Sequence, residues 1–414
     1  MRIRIKAFGC KLNQCEAGAI ERKLISIGHE VVTCAPFDVV IVCGCTVTSR
    51  ADFKARQFLR RMRREYGVER LILSGCSAVN IGEELACELY VEKTFTRNDS
   101  DAIAKYLGHG VGTSQSRETF AGRVRGFVKI QDGCNQFCSY CIVPLVRGRE
   151  RSEEPSKIVK RVAELHSAGV HEAVLTGVHD GRYFRDGLDL SGLCRKILDE
   201  TDIFRIRLSS IEPTEITDDL IDLLAESSRV ASHLHVPLQS GSDAVLERMR
   251  RPYKSAFYRS AIERLHTNVN NIGIGADVIV GFPGETDDDF QRTYDLIESL
   301  PLSYLHVFRY SRREGTDAAD FLDQVREEIK RERMERLIGL RDRKKQEFAE
   351  TQMGVAQTVI VERVSVDNIA SGWSDNYMRA FFVSDYISVN NIVLLNPISY
   401  NKGIINCEIK DLIL

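Results

Sequence analysis

Short apolar runs alternate with helix-length stretches over most of this chain, and that rhythm leaves few architectures open. Between Met1 and about Leu107 the strand candidates "IRIKAF", "VVIVC" and "RLILS" are separated by "NQCEAGAIERKLISIG" and "ADFKARQFLRRMRREYG", each ending on glycine. A run such as "VVIVC" has no polar face, as expected of a parallel strand covered by helices on both sides. Residues 1–107 therefore read as a small doubly wound α/β domain. From Phe127 to about Arg313 the rhythm resumes through "FVKIQ", "EAVLT", "FRIRLSS", "HLHVPL", "IGADVIVG" and "LHVFRY". Six such units fit a partial (β/α)6 barrel better than a closed eightfold one, with function expected at the carboxyl ends of the strands.

A length of 414 residues exceeds what one ordinary core supports, so several domains are expected. The Gly/Ser/Thr-rich stretch 108–122 reads as a linker. A charged helical stretch beginning at Gln324 mixes Glu with Arg and Lys, as a solvated, i,i+4-paired face would. After Gly354 the texture changes to short strands and turns, giving a division into 1–107, 108–122, 123–353 and an all-β module at 354–414. The formal net charge of −2 does not advertise nucleic acid, so any basic surface must be local, and no DNA partner is expected. No apolar run approaches the ~20 residues of a membrane span. The start "MRIRIKAFGC" lacks the apolar core of a signal peptide, which points to the cytoplasm.

Twelve cysteines then need a use other than disulfides, and metal or redox chemistry moves forward. The stretch "QDGCNQFCSYCIVP" spaces Cys134, Cys138 and Cys141 as C-x3-C-x2-C and supplies no fourth ligand. Structural metal sites are closed, whereas an open position is a catalytic feature. Three thiolates hold three irons of a [4Fe–4S] cluster and leave the fourth to a non-protein ligand. A second set follows from position in the fold. "FGC", "CGC" and "SGC" place Cys10, Cys45 and Cys76 just beyond three parallel strands, where ligands gather in open sheets. Cys45 is preferred over Cys43 because Cys43 still lies in the apolar strand. The alternative for this set is three small buried hydrophobes. Cys15, Cys34, Cys87, Cys194 and Cys407 share no spacing and are read as small core or surface residues.

The spacing of the barrel loop matches the radical S-adenosylmethionine enzymes, and Tyr140 before the last cysteine fits that pattern too. With "GCKLNQ", "CTVT", "SGCSA", "KIQDGCNQFCSYCIVPLVRGRERS", "LTGVH", "RLSSIEP", "LHVPLQSGSD" and "DVIVGFPGET" in order, essentially the whole chain resembles the methylthiotransferases. The resemblance implies two [4Fe–4S] clusters and S-adenosylmethionine. Cys134, Cys138 and Cys141 would serve radical generation, and Cys10, Cys45 and Cys76 would serve sulfur transfer. "GCKLNQ" and "KIQDGCN" are most similar to the branch that modifies carbon 2 of N6-threonylcarbamoyladenosine beside the tRNA anticodon. The sister branches act on isopentenyladenosine tRNA or on a ribosomal-protein aspartate. A rival of another class is a non-catalytic iron–sulfur sensor or RNA-binding protein. The enzyme reading implies a flavodoxin-type electron donor and a sulfur donor. The tail occupies the position of the family's small RNA-binding barrel, the TRAM module. It carries four basic residues (Arg363, Arg379, Lys402, Lys410) against six acidic ones, the reverse of a phosphate-tracking surface.

Strand ends of the barrel are expected to line the cofactor. Gly177 would allow close backbone approach, Glu212 and Gln239 would hydrogen-bond it, and Val280 would set an apolar edge against adenine. His235 is read as a packed barrel residue. Basic candidates for RNA phosphates are Lys54, Arg60, Arg61 and Arg64, on a helix that also carries Arg56 and Arg63, and Arg147, Arg149 and Arg151 beside the cysteine loop. A charged helix face is as often merely solvated.

Overall fold

The computed structural model describes residues 1–110, 124–401 and 403–414, so most of the expected linker, from 111 onward, lies outside the described residues. The first sheet is five-stranded and parallel. In spatial order its strands are Glu30–Val31, Arg2–Ala7, Val39–Gly44, Arg70–Gly75 and Lys93–Phe95. In sequence order this is 2-1-3-4-5, a doubly wound sheet with its switch point between Arg2–Ala7 and Val39–Gly44. The outer strands escape sequence reading because two and three residues show no alternation. Both faces are covered: Val40, Val42, Leu71 and Leu73 pack with Leu59 and Leu85, while Ile3, Ile41 and Ile72 pack with Ile20 and Leu24. Each such side chain contributes roughly 1.5–3 kcal/mol of transfer free energy.

The second unit is an open arc of parallel strands. Arg125–Lys129, Glu172–Thr176 and Arg205–Arg207 form one three-stranded sheet, and His233–His235, Gly273–Val280 and Tyr304–Arg309 form another. Isolated bridges Ile206 to Val230 and Ser210 to His235 join the two. All six strand candidates of this region are present. Within Gly273–Val280, Ile274, Ala276, Val278 and Val280 belong to the core shared with the surrounding helices, so Gly275, Asp277 and Ile279 face the lumen. By the same alternation Arg205, Arg207, His233, His235 and Tyr304 line it, and the lumen is polar.

The helix Glu327–Thr351 is less solvated than its charge suggests. Leu337 and Leu340 are buried, and Arg333 pairs with Glu285 at 2.6 Å.

The third unit is a closed barrel of Gln357–Val364, Ile369–Ser374, Arg379–Val383, Ile404–Leu412 and Ile392–Asn401. Ile369–Ser374 carries a mid-strand glycine, which masked it in the sequence. A Cβ on Gly372 would stand 2.1 Å from the Ile360 carbonyl oxygen, so the strands close only with glycine there. This module closes the amino end of the central arc. Arg207 donates to the carbonyls of Ser374 (2.8 Å) and Asp375 (2.9 Å). The Tyr377 ring stacks on His233 and on Trp373, each at 4.4 Å. No helix among the described residues is long and apolar enough to cross a membrane.

Candidate active site

After Arg125–Lys129 the chain forms a two-residue antiparallel pairing, Gln131–Asp132 with Arg151–Ser152, that closes the cysteine loop at its base. Gly133 (φ +73) sits where a Cβ would be 2.0 Å from the Arg149 carbonyl oxygen, so the turn requires glycine. Inside the loop the Cys141 amide donates to the Cys138 carbonyl at 3.0 Å and the Cys134 amide to Gly148 at 3.1 Å. Ser139 ties the loop to the barrel by donating through its hydroxyl to the Arg248 carbonyl at 2.7 Å. The Tyr140 ring meets Phe282 edge-on. The three thiols are free. Burial pushes Cys141 up to about 12 and raises Cys138, so as bare thiols they would stay protonated. Cations stand beside them: Arg251 Nη1 is 3.4 Å from Cys138 Sγ, and His179 Nδ1 is 3.5 Å from Cys134 Sγ. Burial alone would lower His179, but its contacts with Cys134 and Glu215 carry it up to about 10. Three convergent free thiols with cationic neighbours are the donor set that a thiolate-bound cluster requires.

The other set is assembled from three strand ends. Cys10 caps the helix Lys11–Ser26, Cys45 follows Val39–Gly44, and Cys76 opens the helix Cys76–Leu89. Helix amino termini favour thiolate, which suits two of the three. Their glycines let the turns nest: a Cβ on Gly9 would lie 2.2 Å from Cys45 Cβ, and one on Gly44 would lie 2.5 Å from Ser77 Oγ. A hydrogen bond between Cys45 and Cys10 lowers Cys10 to about 6 and drives Cys45 upward. Cys43 lies one residue before the strand end, wholly buried with Ile3, Ile41 and Ile72. This set too fits a three-thiolate cluster, with Cys10 as its exposed corner.

A five-residue helix, Val143–Arg147, brings the two sets together. Cys76 packs on Ile142 and Val146. Arg147 Nε lies 3.1 Å from Cys76 Sγ, and its other nitrogens donate to Asp132 (3.0 Å), Glu16 (3.0 and 3.1 Å) and Asn13 (2.8 Å). Lys129 joins through Glu16 and Asp132. Burial would raise Asp132, but Lys129 and Arg147 hold it down at about 2. Arg147 is 8% exposed, and this corrects its reading as a phosphate contact: every donor nitrogen faces inward.

The remaining expected residues scatter. Glu212 is at the mouth in an ion pair with Arg251; burial raises it and Arg251 opposes. Gln239 takes a left-handed conformation (φ +64) at the end of its strand, bridging to Val278. At Gly177 the close approach is made by the protein itself: a Cβ would be 2.6 Å from Asp180 Oδ1 and 2.8 Å from the Gln131 carbonyl. Val280 is a correction, since it is fully buried on the helix side, and Ile279 is the neighbour that faces inward beside Tyr140.

Arg149 is exposed with its guanidinium 4.5 Å from the Phe137 ring, and Arg151 pairs with Asp132 at 2.7 Å. On the helix Ser49–Tyr66, Arg60 pairs with Glu88 and Arg61 with Glu65, so their charge is already answered, while Lys54 and Arg64 are exposed. Arg56 pairs with Glu84 and Glu88. Arg4, Lys6 and Arg363 instead line a cleft of about 650 Å3 between the first strand, the edge of the arc and the β module. Sequence reasoning missed Arg251, His179 and this cleft. The residues stand in "RMRRPY" and "GVHD", but no spacing marks them.

A partial barrel with an open three-cysteine loop, fronted by a doubly wound domain, defines a radical S-adenosylmethionine enzyme. Residues 128–297 match the radical SAM superfamily and residues 2–95 the uncharacterized protein family UPF0004. The threonylcarbamoyladenosine tRNA methylthiotransferase MtaB of Bacillus subtilis (strain 168) is 36% identical over 96% of this chain and 94% of its own. Its namesake from Thermotoga maritima is 31% identical over 98% and 96%. The tRNA-2-methylthio-N(6)-dimethylallyladenosine synthase of Syntrophobacter fumaroxidans is 34% identical over 88% and 84%. Among solved structures, the radical S-adenosylmethionine methyltransferase TsrM from Kitasatospora setae shares the fold, with a TM-score of 0.55 at 13% identity over 77% of each chain. The chain belongs to the radical S-adenosylmethionine methylthiotransferase family.

Proposed function

We propose that this enzyme adds a methylthio group to carbon 2 of N6-threonylcarbamoyladenosine beside the anticodon of tRNA. The observation that carries the reading is the pair of three-thiol sets meeting at the helix Val143–Arg147. Cys134, Cys138 and Cys141 would hold the [4Fe–4S] cluster that takes S-adenosylmethionine, and Cys10, Cys45 and Cys76 a second one. These groups supply one-electron cleavage of the cofactor and the transferable sulfur. Such chemistry suits carbon 2 of adenine, whose aromatic C–H bond has no acidic proton for a base to take.

The chain's own residues orient and shield. Arg251 and His179 offset thiolate charge at the barrel loop, and Arg147 does so at Cys76. Glu212, in its pair with Arg251, and Gln239 stand at the strand ends where the cofactor would lie. Arg149 and Arg151 beside the loop, exposed Lys54 and Arg64, and the cleft carrying Arg4, Lys6 and Arg363 offer positive charge to an RNA backbone. In this reading 1–107 holds the second cluster, 123–353 the radical chemistry and 354–414 the floor of the barrel. The enzyme works in the cytoplasm with a flavodoxin-type reductant and a separate sulfur donor.

Mass spectrometry of tRNA nucleosides, from cells with and without the gene and from the anaerobically reconstituted enzyme, tests this. The methylthio derivative of threonylcarbamoyladenosine should appear only with the gene or the enzyme. Modification of isopentenyladenosine or of a ribosomal-protein aspartate, with this nucleoside untouched, would overturn it.

A further inference from the structure

Lys11 directly follows Cys10, yet its side chain leaves the first domain and enters the carboxyl end of the barrel. Its Nζ lies 3.5 Å from Ser209 Oγ, at the limit of a hydrogen bond, and that hydroxyl already donates to the Leu175 carbonyl at 2.9 Å. Lys11 stands within electrostatic range of Arg207, Asp180, Arg125 and Glu172. The two arginines are already answered, Arg207 by Glu172 at 2.9 Å and Arg125 by Glu362 at 2.7 Å. Lys11 has no carboxylate partner among the described residues. Asp180, 2% exposed, keeps its Oδ1 without a hydrogen-bond partner. The barrel mouth thus holds one cation without a direct carboxylate partner and, within its electrostatic range, one buried acceptor oxygen without a hydrogen bond, both beside the ends of Glu172–Thr176 and Arg205–Arg207. Lys11 is partly buried and has Asp180 and Glu172 only at longer range, so a direct ion pair is still missing, and the arrangement is accounted for when an anion arrives with a ligand.

We propose that Lys11 reads the free carboxylate of the substrate's threonylcarbamoyl group and so selects an anionic N6 substituent over a neutral one. The inference rests on the substrate assigned above. That substituent brings one carboxylate for Lys11 and hydroxyl and urea N–H donors for Asp180 Oδ1. An isopentenyl group brings none of these and would leave both protein groups unpaired, which is the situation in which polar sites discriminate most strongly.

The test compares tRNA anticodon stem-loops carrying threonylcarbamoyladenosine, its carboxyl methyl ester and isopentenyladenosine, with wild-type, Lys11→Met and Lys11→Arg enzymes. Wild type should prefer acid to ester by roughly ten- to hundredfold in kcat/KM, the span of a charge-assisted hydrogen bond. Lys11→Met should bring that ratio close to one while iron content and substrate-free cleavage of S-adenosylmethionine stay unchanged, and Lys11→Arg should restore part of it. An unchanged acid-to-ester ratio in Lys11→Met overturns the proposal. So does a raised KM for S-adenosylmethionine with that ratio intact, which would place the cofactor's carboxylate on Lys11. Should Lys11→Met lose iron, the wild-type ratio decides, and a preference below twofold overturns the proposal. Wild-type activity on isopentenyladenosine alone would instead sink the substrate assignment.

Discussion

The two cysteine sets reach similar ends by opposite routes. In the barrel, three thiols come from eight consecutive residues, and the loop is shaped by its own amides and by a turn at Gly133 that only glycine fits. In the first domain, three thiols come from strand ends far apart in sequence, and they converge only because Gly9 and Gly44 let neighbouring turns touch. The first site is local in sequence, although Ser139, Tyr140 and Cys138 lean on Arg248, Phe282 and Arg251 of the barrel. The second is a product of the whole sheet, so its integrity reports on the fold. Arg147 couples them, being carried by the barrel loop while donating to Glu16 and Asn13 of the first domain.

The sharpest way to break this contrast is to empty the local site. Replacing Cys134, Cys138 and Cys141 with alanine should remove about four of eight irons and abolish release of 5′-deoxyadenosine, leaving the other cluster's absorbance in place. Loss of all iron would show that the sites are not separable.

The assembled site is probed by neighbours. Cys45→Ala should cost about four irons and methylthiolated product, with cofactor cleavage retained. Cys43→Ala should keep its iron and lose only about 1 kcal/mol of packing, read by thermal melting. Equal iron loss from both would mean that the strand end is misplaced.

The coupling comes next. Arg147→Met leaves buried Glu16 with Lys129 and Asn98, and buried Asp132 with Lys129 and the half-exposed Arg151, a loss on the order of 3 kcal/mol. A lowered melting temperature should appear before any change in tRNA affinity. Acid sharpens this result. Asp132 is held at about 2 against an ordinary value of roughly 4, so its contribution is whole above about pH 4 and fades as pH falls towards 2. In the variant the contribution should be smaller and its loss complete at a pH above 2, because the folded value rises while the unfolded one stays.

The smallest effect belongs to the exposed pair. Arg149→Gln and Arg151→Gln should each reduce the salt slope of tRNA binding by about one and leave iron content unaltered. Arg151 also pairs with Asp132, so its stability should fall slightly while that of Arg149→Gln holds.

Much of this molecule was legible because its information is local. Six barrel strands and a C-x3-C-x2-C loop can each be read within a window shorter than a helix. Other features depend on what folds against what. In "DVIVG" the three residues after Asp277 are all apolar and only that one carboxylate carries phase, so whether Val280 or Ile279 faces the lumen is settled by the helices packed behind the strand. Arg147 looked like its neighbours Arg149 and Arg151, and only the approach of Glu16 from another domain buries it. Gly372 concealed a strand because glycine is a poor strand former on its own, yet the closed barrel requires it there.

The turn around Tyr377 also bears on how such enzymes could be recombined. Swapping tails between relatives treats the final module as a detachable handle, but here it carries part of the barrel's inner wall. A donor tail would have to bring carbonyls to the positions of Ser374 and Asp375 for Arg207 and a flat ring for His233. Without them the Glu172–Arg207 pair would be opened to water from below. The far side of the tail is the part open to exchange, whereas this turn, with Glu362 for Arg125 and the Thr358 carbonyl for Arg205, has to travel with the barrel it seals.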